Sequence, residues 1–189
     1  MKPTNSIGTL LALTLITGGL AHSLAQENAK PSPEIEAKVT TAVKAAFPEV
    51  AVQGIKAETE NGMSFYEVKF TSEGKKMDGD VTADGTLLET EEAAELASFP
   101  KPAQEALKKA TKATKVAAFE INRKFATTEK DSTGGVKVTK LATPTVAYEA
   151  DVEKNGKKGE VAVSADGSIL ESPAWAKSKG KHKEKADKD

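Results

Sequence analysis

The sequence predicts an α+β protein of two tandem units, in each of which an amphipathic helix packs on a meander of three or four antiparallel strands. Three observations support this fold class. The stretch VTADGTLLE at 81–89 recurs 82 residues later as VSADGSILE at 163–171, with six of nine letters identical. The segments before each copy alternate apolar and polar residues and end at glycine turns, as hairpin strands do. A helical apolar pattern precedes each set of strands.

The first unit, residues 33–99, begins with a helix. The tripeptide SPE at 32–34 supplies a capping serine, a proline at the first helical position and an acid near the positive end of the helix dipole. Apolar residues recur at helical spacing from Ile35, and the dipeptide FP at 47–48 ends the pattern. Strands follow between residues 53 and 90, and the segment EEAAELA at 91–97 predicts a short helix.

The second unit, residues 100–176, repeats this plan. A second amphipathic helix is predicted from Ala103 to Ala110, and strands follow it. The stretch at 129–145 has no counterpart in the first unit and predicts a longer loop or an extra hairpin. Trp175, the only tryptophan, is predicted to plug the end of the sheet.

The two ends of the chain differ in composition from these units. Residues 1–25 resemble a signal peptide, with an apolar run from Ile7 to Leu20 and SLA before the expected cleavage site. That run is shorter than the ~20 residues that span a bilayer, so no membrane anchor is expected after cleavage. Residues 26–32 are expected to be flexible, and residues 177–189, with six lysines against three acids, to be disordered. The protein is therefore predicted to be periplasmic or secreted.

The residues that most enzymes and zinc sites require are missing from the predicted units. The chain has no cysteine, and its two histidines, His22 and His182, fall in the signal segment and the tail. This excludes Ser-His-Asp and cysteine catalysis and the usual zinc ligand sets. No glycine-rich phosphate motif is present. Hydrolysis by a pair of carboxylates stays formally open, but the acids alternate along the strands as on a solvated sheet surface. We expect no enzyme activity and no cofactor, and the net charge of −1 predicts no specific nucleic acid binding.

A calcium loop competes with a simple turn around the repeated stretch. Asp80, Asp84 and Glu91 fall at positions 1, 5 and 12 of a hand-type loop and are weak candidate metal ligands. The second copy replaces the first and last of these by Ala162 and Pro173, and residues 77–83 alternate like a strand. The preferred interpretation is a two-residue hairpin turn of a primed type.

One side of the predicted strands is a candidate partner-binding face. In MSFYEVKFT, residues 65, 67 and 69 lie on the charged side of the strand, opposite residues 66, 68 and 70. Residue 65 is expected either to contact a partner or to pack under a loop. The residues assigned to the face are Phe65, Glu67, Lys69, Glu149 and Asp151.

Two long segments carry a family resemblance. FYEVKFTSEGKKMDGDVTADGTLLE and AYEADVEKNGKKGEVAVSADGSILE, joined through LASFPKPAQEALKKA, resemble the PepSY-like family of exported bacterial proteins, whose fold is similar to that of β-lactamase inhibitor protein. The resemblance covers about residues 33–173. It implies helices on one face of an antiparallel sheet, with the other face presented to partners, and no catalytic residues. No inhibitory loop can be matched, and the disulfides of the inhibitor are absent.

The predicted function is that of a monomeric, exported, non-catalytic binding module of the bacterial cell envelope, which binds or inhibits an unidentified protein or peptide. Three alternatives remain open. One is a calcium-dependent binder that uses the Asp80–Glu91 loop, and another is a binder of anionic envelope polymers through the basic tail. A purely structural role without a specific partner is a third.

Overall fold

The computed structural model describes residues 31–60, 62–130 and 135–177. The predicted signal peptide, residues 26–30 of the predicted flexible N-terminus and residues 178–189 of the tail lie outside the described residues. The described residues form an antiparallel sheet with two α-helices on one face. The helices are α1 (Pro33–Ala46) and α2 (Lys101–Ala110), and a short 3-10 helix spans Leu96–Ser98. The strands are β1 (Val50–Glu60), β2 (Met63–Ser72), β3 (Lys75–Val81), β4 (Leu87–Ala93), β5 (Lys115–Lys130), β6 (Val136–Lys154), β7 (Lys157–Val163), β8 (Ile169–Glu171) and β9 (Ala176–Lys177).

The sheet is continuous across the predicted boundary between the two units. Strands β1 to β8 pair in chain order, and β9 pairs with β7. Strand β4 pairs with β5 from Glu89 opposite Lys124 to Ala93 opposite Glu120. The structure therefore has one continuous sheet, because β5 adds to the free edge of β4 after the chain has passed through α2. Strand pairing alone does not divide this sheet into the two predicted units. Among the described residues, no helix is long and apolar enough to cross a membrane.

Helix α1 has the predicted bounds. The Ser32 side chain accepts a hydrogen bond from the Ile35 N–H at 3.4 Å, and a proline occupies the first turn. The helix ends before Phe47, whose N–H donates to the Val43 carbonyl. Val39 and Val43 are fully buried against the sheet. The local capping signals therefore placed this helix correctly.

Two apolar clusters lie between the helices and the sheet. The first joins α1 to β2, β3 and the start of β4, with Val68, Phe70 and Val81 at its centre. The second joins α2 to β6 and β7 through Leu107, and Trp175 packs against it, which confirms the terminal plug. Because both helices cover the same side of the sheet, the opposite side is left without a helix among the described residues.

The two repeated stretches form the same turn. The Thr82 N–H donates to the Thr86 carbonyl at 2.9 Å, and the Ser164 N–H donates to the Ser168 carbonyl at 3.0 Å. Only the glycine of each Asp-Gly pair has positive φ. The predicted primed two-residue turn is therefore wrong, since that type needs positive φ at both central residues. Each loop instead spans five residues, 82–86 and 164–168.

Each of these turns rests on the backbone of a helix. Gly85, at φ +86°, lies where an added Cβ would be 3.5 Å from the Lys38 carbonyl oxygen of α1. Gly167, at φ +84°, lies closer to its helix, since a Cβ would be 2.7 Å from the Pro102 carbonyl oxygen of α2. The glycine of each turn therefore lets the turn lie against the backbone of its helix, and at Gly167 no larger residue fits without a shift.

The helix predicted at 91–97 is wrong. Residues 91–93 belong to β4, and only Leu96–Ser98 forms a single 3-10 turn. The cause is a non-local contact, because the carboxylate of Glu92 lies 2.6 Å from Lys75 Nζ on β3 and 3.2 Å from Arg123 Nη1 on β5. Sheet pairing on both sides thus overrides a helix-favouring composition.

The extra hairpin at 129–145 is present. Strands β5 and β6 continue as a pair from Ala126 opposite Lys140 to Lys130 opposite Val136, beyond a bulge between Lys124 and Ala126. Near this extension, Phe65, Leu88 and Ala126 form a third buried cluster, with Met63 and Val138 packed against it. Phe65 is only 8% exposed, so of the two expectations for this residue the structure favours packing under another segment.

Both edges of the sheet are interrupted. Strand β1 has an irregularity between Val52 and Gly54, where its register with β2 shifts. At the other edge β8 has only three residues, and β9 pairs with Lys157 and Lys158 of β7. Beyond its irregularity β1 pairs in continuous register from Gly54 to Glu60, so only the edge formed by β7, β8 and β9 is made of short strands.

Candidate binding face

Side-chain alternation divides the sheet into a helix side and a helix-free side. On β2, Val68 and Phe70 are buried under α1, so the residues between them, Glu67 and Lys69, project to the opposite side. Cross-strand partners share a side, and Lys69 pairs with Asp78 of β3. The charged side that the sequence predicted is therefore the helix-free side.

Acidic residues dominate this surface from β2 to β8. Cross-strand pairing places Glu67, Asp80 and Glu89 together on the helix-free side. It places Glu120 and Glu149 on the same side. We call this surface the acidic face, and its ten acids are Glu67, Asp78, Asp80, Glu89, Glu91, Glu120, Glu149, Asp151, Glu160 and Glu171. Lys69 and Lys124 make ion pairs with some of these carboxylates, at 3.1–4.0 Å.

Several residues selected from the sequence line one cavity on the acidic face. The cavity measures about 510 Å³ and lies over β1 to β4. Its lining includes Phe65, Glu67 and Lys69 from the predicted partner face, and Asp80 and Glu91 from the predicted metal set. Sequence reasoning thus reached this cavity from two separate motifs.

The remaining predicted residues differ in accessibility. Asp151 is exposed on β6, whereas Glu149, two residues before it, is only 4% exposed. Glu67 is half-buried and Lys69 is exposed. A partner on the acidic face would therefore meet Glu67, Lys69 and Asp151 first, and Phe65 and Glu149 would lie beneath that surface.

Three glutamates from three neighbouring strands meet at the centre of the face. One carboxylate oxygen from each of Glu91 on β4, Glu120 on β5 and Glu149 on β6 lies within 4.8 Å of the others. Glu120 and Glu149 are directly opposite each other in the register. Like charges at such positions destabilise a sheet, and within the described part of the chain no ion pair or hydrogen bond is found for these three side chains.

This crowding changes the proton affinity of the carboxyls. Burial, reinforced by the charge of Glu160, raises the pKa of Glu149 to about 9. Burial of the carboxyl and the charge of Glu89 raise the pKa of Glu91 to about 8, although the residue keeps an exposed surface. Burial and the charge of Glu171 raise the pKa of Glu160 to about 7. Part of the acidic face therefore carries protons at neutral pH.

Asn122 lies beside these glutamates with an unsatisfied oxygen. Its side chain is on β5 opposite Glu91 and is 4% exposed. The Nδ2 group donates to Glu89 Oε2 at 3.3 Å, while Oδ1 is buried and has no donor among the described residues. Buried amide oxygens are nearly always satisfied, so this atom points to a missing partner.

The hand-type calcium loop suggested by the sequence is not formed. Residues 77–81 are strand, and the loop would require a helix there. The Asp84 carboxylate is used by its own turn, since it accepts hydrogen bonds from the Thr82 hydroxyl and the Thr86 N–H. These contacts lower the pKa of Asp84. Of the three weak candidates, Glu91 alone belongs to the cluster of glutamates.

An apolar groove adjoins the acidic cluster over β6 to β8. It measures about 580 Å³, and its lining includes Ala147, Ala162 and Leu170, of which Leu170 is 37% exposed. Lys124 and Glu149 also line it. The helix-free side therefore places an apolar strip next to a concentration of acids.

Sequence reasoning missed Glu120, Asn122 and this groove. Glu120 and Asn122 lie on a strand that the sequence did predict. Their place in a site depends on the neighbouring strands, which bring Glu91 and Glu149 beside them. Their one signal was the alternation FEINRK at 119–124, which places residues 120, 122 and 124 on the same side.

No family model matches this chain, and no curated protein matches it. Solved structures do. A BLIP-like protein from Bacteroides fragilis NCTC 9343 superposes with a TM-score of 0.50 and 18% identity, covering 71% of this chain and 82% of the other. A DUF2874 family protein from Bacteroides uniformis ATCC 8492 gives 0.50 at 12% identity, covering 71% and 86%.

The fold is BLIP-like. A candidate periplasmic protein from Bacteroides eggerthii DSM 20697 also shares it, with a TM-score of 0.50, 15% identity and coverage of 76% of this chain and 88% of the other. The BLIP-like fold agrees with the sheet and one-sided helices that the sequence resemblance implied. At these identities the likeness extends to the fold alone, so function has to be argued from the acidic face.

Proposed function

We propose that this protein is an exported, non-catalytic binding module of the bacterial cell envelope, and that its acidic face binds a basic segment of a partner protein. The observation that carries the proposal is the concentration of ten acids on the helix-free side of the sheet, next to an apolar groove. Complementary charge accelerates and orients such association. The groove favours a segment that also presents apolar side chains.

Other features support the remaining parts of the proposal. Between residues 26 and 176 the chain has no histidine or cysteine, which favours binding over catalysis. The signal-like residues 1–25 and a similar fold in a candidate periplasmic protein favour export. We further propose membership of the PepSY-like family and a two-unit design, residues 33–99 and 100–176, supported by the matched turns at 82–86 and 164–168.

A charge-reversal experiment tests the use of the acidic face. A double variant, Glu67→Lys with Asp151→Lys, should bind envelope proteins of the producing cell about tenfold or more weakly than the unmodified protein, because two surface charges of the face are reversed. Glu49→Lys with Glu105→Lys is the matched control, since both residues are exposed and lie outside the face. The measurement is capture from an envelope extract, followed by affinity measurement with the purified captured protein.

Three outcomes decide the matter. Retention by the control and loss by the face variant support the proposal, provided that both variants keep the unfolding temperature of the unmodified protein. Equal capture by both variants contradicts it. Loss of capture only after removal of residues 177–189 would favour the basic tail and an anionic polymer instead.

A further inference from the structure

The centre of the acidic face carries a second, independent feature. Glu91, Glu120 and Glu149 bring carboxylate oxygens within 4.8 Å of one another from three adjacent strands. Such a spacing suits ligands that share one small cation, because calcium–oxygen distances of about 2.3–2.6 Å place neighbouring ligand oxygens at most about 5 Å apart. Three clustered acids alone do not make a binding site. The second observation that points to a ligand is the buried side chain of the neighbouring Asn122.

The amide of Asn122 is held in one orientation. Its Nδ2 group donates a hydrogen bond to Glu89 on β4. Glu89 lies opposite Lys124, which follows Asn122 by two residues on β5. The amide oxygen is therefore turned away from Glu89, and the register places Glu120 and Glu149 in that direction. This oxygen is buried and has no donor among the described residues. A cation at the cluster would satisfy it.

We infer that Glu91, Glu120 and Glu149, together with the side-chain oxygen of Asn122, form a binding site for a calcium ion at the centre of the acidic face. The set offers oxygen ligands only, which selects a hard cation over zinc or copper. Three carboxylates, each able to bind through one or two oxygens, and an amide oxygen supply the irregular coordination that calcium accepts and magnesium does not. This site differs from the hand-type loop because it uses three strands and leaves Asp84 in its turn.

Protons compete with a cation for the three carboxylates. Carboxylates whose oxygens lie within 4.8 Å of one another resist simultaneous ionisation. Calcium binding requires the ionised forms, so its affinity should rise as the pH rises from 6 to 8. The other charged groups that act on the three carboxyls are Asp78, Asp80, Glu89, Lys124, Asp151 and Glu160.

The experiment is a calorimetric titration of calcium chloride into the full mature chain. At pH 8 we expect one site with a dissociation constant on the order of 10⁻⁴ M, the range of exported calcium modules, and about tenfold weaker binding at pH 6. Glu120→Gln should weaken binding at pH 8 about tenfold or more. A parallel thermal scan should show that 5 mM calcium, roughly fifty times that dissociation constant, raises the unfolding temperature of the unmodified protein and not that of Glu120→Gln.

Two control variants separate the site from its alternatives. Asp151→Asn removes an exposed acid of the same face outside the cluster, and Asp84→Asn removes the acid that the hand-type loop requires. Both should bind calcium within about twofold of the unmodified protein. If Asp151→Asn and Glu120→Gln weakened calcium binding equally, the binding would reflect only the overall negative charge of the acidic face. That result would overturn the inference. If Asp84→Asn weakened calcium binding, the result would favour the hand-type calcium loop instead.

Two further results would contradict the inference. One is the absence of both heat and a shift in unfolding temperature at 5 mM calcium, roughly fifty times the expected dissociation constant. The other is tighter binding of magnesium than of calcium. Because the titration contains no partner protein, its outcome is independent of whether the acidic face binds a basic segment.

Discussion

Gly167→Ala is expected to lower the free energy of unfolding by about 2–4 kcal/mol. Gly167 has a φ of +84°, where an alanine is strained, and an added Cβ would lie 2.7 Å from the Pro102 carbonyl oxygen. Because that neighbour is backbone at the start of α2, the helix or the turn would have to move. The measurement is urea unfolding followed by the fluorescence of Trp175, which packs against the same core as α2.

Two other glycines serve as matched controls. Gly85 in the first copy of the turn has nearly the same φ, +86°, but its nearest neighbour is the Lys38 carbonyl oxygen at 3.5 Å. Gly156 has a φ of +71° and nothing within 4 Å. Changing either glycine to alanine should lower the free energy of unfolding by only about 1 kcal/mol, the conformational cost of a positive φ. If all three variants lost equal stability, close contact between the second turn and its helix would be refuted.

Stability is expected to fall as the pH rises from 6 to 9 in the presence of a chelator. Glu149 has a pKa of about 9 in the folded protein against 4.5 for an unperturbed glutamate. The folded state therefore binds this proton more tightly than the unfolded state does. The resulting stabilisation is complete below pH 4.5 and is lost as the pH rises through about 9. Glu91 and Glu160, with pKa values of about 8 and about 7, act in the same direction.

Glu149→Gln should remove much of this dependence. The variant keeps the shape of the side chain and cannot ionise, so at pH 9 it should be more stable than the unmodified protein by at least about 1.4 kcal/mol, the equivalent of one pKa unit. Glu105→Gln, on the exposed side of α2, should leave the profile unchanged. Denaturant unfolding at pH 6, 7, 8 and 9 measures both. A flat profile for the unmodified protein, or a Glu149→Gln variant that is less stable at pH 9, would contradict the protonated cluster.

The loss of stability at low pH has a different cause, a carboxyl whose pKa is lowered in the folded protein. Burial acts to raise the pKa of Glu92, but hydrogen bonds from Lys75 and Arg123 outweigh it and lower the pKa. The stabilisation from this residue is present above the unfolded value of 4.5 and is lost as the pH falls below it. The two sides of the sheet therefore place the stability maximum in acidic solution, near the unperturbed glutamate pKa of 4.5.

The sequence predicted the features that depend on neighbouring residues. Ser32 and the proline after it determine where α1 begins, and the glycines at 85 and 167 mark the repeated turns, because these signals act over three or four positions. The alternation of β2 placed Glu67 and Lys69 on the correct side for the same reason.

Features that depend on strand register were missed. The helix predicted at 91–97 failed because Glu92 finds its cations on β3 and β5, far along the chain. The cluster around Glu149 requires β4, β5 and β6 to pair in one register, and a shift of one residue would turn Glu120 to the helix side. Bulges near Val116 and Lys124 help to set that register, and a single sequence does not reveal them.

The interrupted edges of the sheet bear on behaviour at high concentration. An exposed, straight edge strand offers unpaired N–H and carbonyl groups to another molecule and promotes edge-to-edge aggregation. Here the irregularity near Gly54 bends β1, and Lys56 and Glu58 place opposite charges along it. The short β8 and the returning β9 shield β7 on the other side. Each edge of the described sheet therefore carries a feature that limits strand addition by a second copy.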